Sequence, residues 1–151
     1  MNTQAIISVF RQHGDKKQQA LIAQLKKEGK KSLRQLLEIY EGENPPSVKR
    51  WAIEALGSFP ERDVIKTLKS ALKSPFMTIR LHAMTAIYQL GNSKNAKLLR
   101  PLLKDESGGI RMNALEILNV YQPKWFKTEL KKLTNDEKSY IRNKAKKILK
   151  N

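Results

Sequence analysis

A nine-residue block recurs four times along this chain, and each copy begins 31 residues after the previous one. The blocks begin at Val48, Ile79, Ile110 and Ile141. Each block has a β-branched residue in first place, a cation in second, alanine in fifth and leucine or isoleucine in ninth. A fixed period of about 20–50 residues is the signature of a repeat architecture, because each unit buries its apolar face only against its neighbours. This period constrains the fold more than any other feature of the chain.

Apolar residues in and after each block follow the period of an α-helix, so each repeat is predicted to be a helical hairpin. The stripe of the first helix in the first repeat consists of Val48, Ala52, Ala55, Leu56 and Phe59. The second-helix stripe recurs 31 residues apart as Ile65, Leu68, Ala71 and Leu72, then Ala96, Leu99, Leu102 and Leu103. A third copy keeps Leu130 and Leu133, while Lys127 and Thr134 depart from the pattern. Glycine, proline, serine and asparagine between the stripes suit turns and N-caps.

The first third of the chain follows the repeat less well. Residues 3–12 predict a lone amphipathic helix, and residues 15–27 and 31–40 predict a further hairpin. Since terminal repeats meet water on one face, they are expected to be atypical. We therefore predict one domain over residues 1–151, with atypical N-terminal capping helices at 1–42 and regular repeats at 43–151. The expected fold is all-α, a right-handed α-solenoid (superhelix) of about four to five hairpins and about nine helices.

The blocks resemble the bacterial HEAT-like repeat, of the type found in phycobilisome lyases. The pairs that carry this resemblance are Val48-Lys49, Ile79-Arg80, Ile110-Arg111 and Ile141-Arg142, followed by alanine and leucine at the family's spacing. Asp105 and Asp136 also match the aspartate that the family places shortly before the pair. The resemblance implies that first helices line the convex side and second helices the concave side. It implies little about function.

The charge balance points to an anionic partner. Thirty Lys and Arg residues oppose fourteen Asp and Glu residues, which gives a formal net charge of +16. Such an excess is typical of proteins that bind nucleic acid, an acidic protein or a membrane surface. There is no cysteine, so disulfides and thiolate metal sites are excluded. No signal-peptide pattern or membrane-spanning apolar run is present, and we expect a soluble, cytoplasmic protein.

Seven cations of the second helices are the candidate binding residues, and we call them the basic strip. They recur at 31-residue spacing and should form parallel rows on one face: Lys66, Lys69, Lys73, Lys97, Arg100, Lys104 and Lys131. The alternative is a solvated lysine-rich face without a ligand. The interpretation of a binding site rests on the recurrence of the rows and on the near absence of acidic residues from them; Glu38 is the counterpart in the weak first repeat.

Two other sets of residues leave alternatives open. Trp51 stands where later repeats have His82 and Asn113, so it either stacks on a partner's base or packs against the preceding hairpin. The cations Lys49, Arg80, Arg111 and Arg142, which we call the ladder, either bind a ligand or bridge adjacent repeats. The bridging interpretation is favoured, because each lies one residue after a core position.

No catalytic constellation is visible, so we predict no enzyme, no metal and no cofactor. The two histidines, His13 and His82, are far apart and lack partners at metal-ligand spacing. Nucleophile elbows, phosphate-binding loops and HExxH motifs are missing. The leading hypothesis is a binding scaffold for an acidic protein. The alternatives are a nucleic-acid-binding module that contacts phosphates, and an accessory or enzyme of the lyase-like or DNA-glycosylase-like HEAT type. The sequence does not predict an oligomeric state.

Overall fold

The computed structural model describes residues 1–12 and 14–151, and the regular secondary structure of these residues is helical throughout. The described chain has ten α-helices, where the sequence predicted about nine. They are α1 Thr3–Arg11, α2 Asp15–Glu28, α3 Lys30–Glu41, α4 Pro46–Leu56, α5 Arg62–Ala71, α6 Met77–Gln89, α7 Ala96–Leu99, α8 Gly108–Tyr121, α9 Phe126–Leu133 and α10 Ser139–Lys150. The predicted all-α solenoid class is confirmed. His13, which the sequence analysis considered as a metal ligand, lies outside the described residues.

The helices belong to two compact units, Met1–Gly91 and Asn92–Asn151. The first unit contains α1 to α6, and the predicted N-terminal helix and hairpin are confirmed as α1, α2 and α3. Gln18 of α2 holds the end of α1, because its Nε2 donates to the carbonyls of Val9 at 3.1 Å and Gln12 at 2.6 Å. The prediction that residues 1–151 form one domain stays a prediction.

Small residues let α4 and α6 approach closely. Ala52 and Ala83, at the fifth place of their blocks, are fully buried. Gly57 follows α4, and a Cβ atom added there would lie 2.9 Å from the Cα of Ala86. Contacts of this kind leave no room for a methyl group, since protein interiors are close-packed. The repeated alanines therefore set the distance between neighbouring first helices in this unit.

The second unit departs from the sequence prediction at one helix. The stripe over residues 96–103 predicted a continuous α-helix, but α7 ends at Leu99 and a 3-10 helix covers Arg100–Lys104. Pro101 explains the break, because it has no N–H to donate to the carbonyl four residues earlier and its ring crowds that carbonyl. Pro101 lies in the first turn of the 3-10 helix, where its missing N–H is not needed. The core residues Leu99, Leu102 and Leu103 are nevertheless buried as predicted.

Three arginines of the ladder make one recurring set of hydrogen bonds. Each guanidinium Nη1 donates to the carbonyl oxygens six and five residues earlier, in the loop before its own helix. For Arg80 these carbonyls belong to Ser74 (2.8 Å) and Pro75 (3.3 Å). For Arg111 they belong to Asp105 (2.8 Å) and Glu106 (3.3 Å). For Arg142 they belong to Asp136 (2.7 Å) and Glu137 (3.0 Å).

Arg111 also bridges to the following repeat within the second unit. Its Nε and Nη2 donate to the two carboxylate oxygens of Asp136 at 2.8 and 2.9 Å, and Nη2 also reaches Glu137 at 3.1 Å. The side chains of Arg111 and Asp136 are only 7% and 6% exposed. The bridging interpretation is therefore confirmed for Arg111. Lys49 differs from the arginines, since its ammonium lies 5.7 Å from the ring centroid of Tyr40.

Candidate binding surface

All seven residues of the basic strip are exposed, whereas Arg80 and Arg111 of the ladder are buried. Lys66 and Lys69 lie on α5, and Lys73 follows the end of that helix. Lys97 lies on α7, Arg100 and Lys104 lie in the 3-10 helix, and Lys131 lies on α9. The strip residues thus face solvent, whereas these two ladder arginines are used inside the fold.

Lys66 of the first unit lies in a groove between α3 and α5 that carries both signs of charge. This groove has a volume of about 470 Å³. Its lining includes Arg34 and Lys66, but also the carboxylates of Glu38, Glu41 and Asp63. Acidic residues are therefore closer to this part of the strip than the sequence indicated.

Lys73 lies in a second groove of the same unit, which we call the Lys73 groove. It has a volume of about 380 Å³ and is lined by Tyr40, Lys49, Ser70, Lys73, Ser74, Pro75, Phe76 and Ile79. No Asp or Glu is among these residues. Tyr40 is half-buried, and this burial raises the pKa of its hydroxyl. The Lys73 groove therefore combines positive charge with aromatic surface, which the lysine rows alone did not indicate.

Arg100 of the second unit has a fixed partner. Its Nε and Nη2 donate to one carboxylate oxygen of Glu129 at 3.1 and 2.7 Å, and its guanidinium lies 5.0 Å from the ring centroid of Trp125. Lys132 donates to the same oxygen at 3.3 Å. The Glu129 side chain is 6% exposed. Arg100 is thus partly neutralised by an acidic residue from outside its row, which the spacing of the rows did not indicate.

The pKa of Glu129 reflects this arrangement. Burial raises the pKa of its carboxyl, but hydrogen bonds from Arg100 and Lys132 and their positive charges outweigh burial and hold the pKa below its usual value. Glu129 is therefore ionised at neutral pH, and it fixes the position of Arg100. Sequence reasoning missed Glu129 and Lys132. The one available signal was a carboxylate at the place where earlier repeats have Thr67 and Leu98.

Trp51 does not serve as a stacking platform. Its side chain is 3% exposed, with the Arg50 guanidinium 4.2 Å from its ring centroid. The alternative of stacking on a partner is wrong, because α4 turns this position into the core despite the polar His82 and Asn113 at the same place in later repeats. The burial alternative is what the structure shows.

A polar cluster lies beside Trp51. His82 Nδ1 is 2.9 Å from a carboxylate oxygen of Glu54, and Gln19 donates to the other oxygen at 2.6 Å. Burial raises the pKa of Glu54, but these hydrogen bonds and the nearby positive charge outweigh it, so the pKa is lowered. Because these contacts run between different helices, the cluster joins α2, α4 and α6 of the first unit.

The described residues contain neither a cluster of metal-binding side chains nor a helix that could span a membrane. Within residues 1–12 and 14–151, no group of three or more His, Cys, Asp or Glu side chains could hold a metal ion. In the same part of the chain, none of the helices has the length and apolar character required to cross a membrane.

Comparison with known proteins shows the family to which this chain belongs. One solved structure, the complex of CpcE and CpcF of phycocyanin lyase from Nostoc sp. PCC7120, is similar to this chain with a TM-score of 0.74 and 18% sequence identity. The similarity covers 97% of this chain and 96% of that chain, and at this identity it shows the fold alone. No curated protein matches the chain in sequence. A family model described as HEAT repeats matches residues 33–119. That match spans more than half of the 151 residues, so this chain belongs to the HEAT-repeat family.

Proposed function

We propose that this chain is a non-enzymatic binding scaffold of the cytoplasm that engages an acidic protein through the basic strip. The observation that carries the proposal is the division among the cations. The strip residues face solvent, while Arg80 and Arg111 are buried and Arg111 is neutralised by Asp136. Among the described residues, Arg100 is the strip member that forms an ion pair, and the six lysines form none.

The affinity must come from the set of lysines. One exposed ion pair is worth about 0–1 kcal/mol, and salt screens it over a distance of about 8–10 Å. Several such contacts together steer and hold an anionic surface. Binding is therefore expected to weaken strongly as salt is added.

Two alternatives have supporting observations. The charge of +16 also suits a nucleic acid, whose phosphates are contacted without base reading. The similarity to a chain from a complex of two phycocyanin lyase subunits favours an accessory role in a lyase-like assembly. In both alternatives the residues of the basic strip contact the partner, and the alternatives differ in what that partner is.

The test compares two triple charge reversals. The strip variant carries Lys69→Glu, Lys97→Glu and Lys131→Glu; Arg100 is left in place, because a glutamate there would face the buried Glu129. The matched control carries the same change at the exposed residues Lys16, Lys26 and Lys27 of α2. Both variants have the same net charge, so a difference between them reports the location of the charge.

The probes are a fluorescent polyglutamate peptide and single-stranded and duplex DNA of equal charge, measured by anisotropy at low and physiological salt. The proposal predicts that the strip variant loses at least about ten-fold in affinity for polyglutamate and the control much less. Equal losses in both variants would show that the charge has no localised role. Tighter binding of duplex DNA, with a salt slope that the strip variant reduces by roughly 3 units, would replace the acidic protein with nucleic acid.

A further inference from the structure

The Lys73 groove is made by parts of the first unit that lie far apart in sequence. Tyr40 is at the end of α3, Lys49 is in α4, Lys73 follows α5, and Phe76 and Ile79 belong to the start of α6. At about 380 Å³ it is at the small end of the roughly 300–1,000 Å³ that ligand pockets span. This size suits one bulky side chain together with the backbone that carries it.

Part of the lining of the groove is apolar. Ile79 is buried, whereas Phe76 is 50% exposed, and Met77 beside it is 49% exposed. Single exposed apolar residues are ordinary on protein surfaces. Here, however, the exposed phenylalanine lines a concave site next to the half-buried Tyr40. Burial of an apolar side chain against these residues is therefore favourable.

The charged side chains that line the groove are both positive. Lys49 and Lys73 are its charged lining residues, and the lining holds no carboxylate to neutralise them. The neighbouring groove between α3 and α5 differs, because Glu38, Glu41 and Asp63 line it. Of these two grooves of the first unit, the Lys73 groove is thus the one that offers an anionic ligand positive charge beside apolar surface.

We propose that the Lys73 groove is the anchoring pocket for a segment of an acidic protein in which one bulky apolar side chain is flanked by carboxylates. The inference rests on the proposed function and makes it more specific. The apolar side chain packs on Phe76 and Ile79, and the flanking carboxylates meet Lys49 and Lys73. One buried anchor surrounded by weaker contacts is the usual way in which an interface concentrates its affinity.

The composition of the groove favours a protein segment over a nucleic acid. Single-stranded nucleic acid is held by successive aromatic side chains along a groove. Phe76 has no such successor, since the residues 31 places before and after it are Pro45 and Ser107. The ammonium of Lys49 also lies over the ring of Tyr40, so it occupies one face on which a base would have to stack. Met77 adds flexible, polarizable surface of the kind that adapts to apolar side chains of protein partners.

The experiment uses two fluorescent heptapeptides with equal charge. One carries a central phenylalanine flanked on each side by three glutamates, and the other has serine in place of the phenylalanine. Anisotropy at low salt is measured with the full chain and with Phe76→Ser, Lys73→Glu and Val120→Ser variants. Val120 is the matched control, because it is 62% exposed and lies outside the groove, in α8 of the second unit.

We expect the full chain to bind the phenylalanine peptide about ten-fold more tightly than the serine peptide. Phe76→Ser removes this preference, Lys73→Glu weakens the binding of the phenylalanine peptide, and Val120→Ser changes neither. Because all three positions are exposed, each variant is expected to fold, and circular dichroism checks this.

Three results would overturn the inference. Equal affinity for both peptides, with sensitivity to charge reversal in the basic strip, would remove the anchoring pocket and leave the proposed function standing. Binding of neither peptide would remove both. A larger effect of Phe76→Ser on a single-stranded DNA of equal charge than on the phenylalanine peptide would assign the groove to nucleic acid.

Discussion

Replacement of Arg111 by methionine tests how consecutive repeats are held together in the second unit. Methionine keeps most of the length of the side chain but removes the guanidinium. The change leaves Asp136 buried and without its bidentate partner, although the backbone N–H of Lys138 still donates to it at 2.8 Å. Removal of one partner of a buried ion pair costs about 3–5 kcal/mol, because the other charge is left uncompensated. The free energy of unfolding should fall by about this amount, within a total of about 5–15 kcal/mol.

The matched control is Arg142→Met, which changes the same place one repeat later. Arg142 donates to the carbonyls of Asp136 and Glu137 as Arg111 does to its own loop, but its side chain is less buried and makes no bidentate ion pair with any residue that the structure describes. Loss of these hydrogen bonds should cost about 1–2 kcal/mol. Urea denaturation followed by circular dichroism measures both variants. Tryptophan fluorescence, to which Trp51 of the first unit and Trp125 of the second both contribute, gives a second signal.

The pH dependence gives the same reasoning a second check. Burial raises the pKa of Asp136, but the hydrogen bonds from Arg111 and from the Lys138 N–H, together with the charges of Arg111 and Arg142, lower it overall. A lowered pKa in the folded state means that the stabilisation is present above the unfolded value of about 3.9 and is lost as pH falls through the folded value. The difference between the full chain and Arg111→Met should therefore shrink below about pH 4. A cost for Arg111→Met no larger than that for Arg142→Met, or a cost independent of pH down to acid, would refute the reasoning.

Three further changes are expected to alter the free energy of unfolding, measured by the same urea titration. Gly57→Ala should cost about 1–3 kcal/mol because its methyl group has no room, whereas Gly109→Ala in α8, with its nearest contact at 3.6 Å, should be neutral or slightly stabilising. Glu129→Gln should destabilise the chain at pH 7. The cost should begin to shrink as pH falls below the unfolded glutamate value of about 4.3 and should be lost as pH falls through the folded pKa, which hydrogen bonds from Arg100 and Lys132 hold below its usual value against the effect of burial. Trp51→Ala should cost about 3–5 kcal/mol through the loss of a buried ring, and it should leave polyglutamate binding by the folded protein unchanged.

Much of the fold was predictable because the repeat encodes it locally. The blocks place Ala52 and Ala83 at the same point of successive first helices, and both are buried there. The N-terminal hairpin was also predicted from its leucines, although it lacks the block. The prediction of a continuous α-helix over residues 96–103 was wrong for a local reason that the apolar stripe does not reveal. Pro101 keeps the leucines on the core side, so the stripe is unchanged, but it prevents the hydrogen bonds of a continuous α-helix.

The candidate site was only partly predictable, because its details depend on contacts between distant residues. Helical period and repeat spacing correctly placed the strip lysines at exposed positions. The pairing of Arg100 with Glu129 joins residues 29 places apart, and no spacing in the sequence predicts it. The Lys73 groove likewise brings together residues from Tyr40 to Ile79. For Trp51, the repeat spacing itself left the prediction open. Its counterparts in later repeats are polar, which suggested exposure, whereas its own large ring is buried.

The type of cation separates the two roles that positive charge has in this protein. The described ladder positions with fixed oxygen partners are arginines, whose planar fork of donors can bind carbonyls and a carboxylate at once, as Arg111 does. Six of the seven strip residues are lysines, whose strongly hydrated ammonium favours a place in solvent. Arg100 is the arginine of the strip, and it is also the strip residue with a buried carboxylate and an aromatic ring as partners. The net charge of +16 is therefore a poor measure of the binding surface, since the arginines held in the fold contribute to the total but are not available to a partner. The lysines that remain in solvent are the part of that charge on which the proposed function depends.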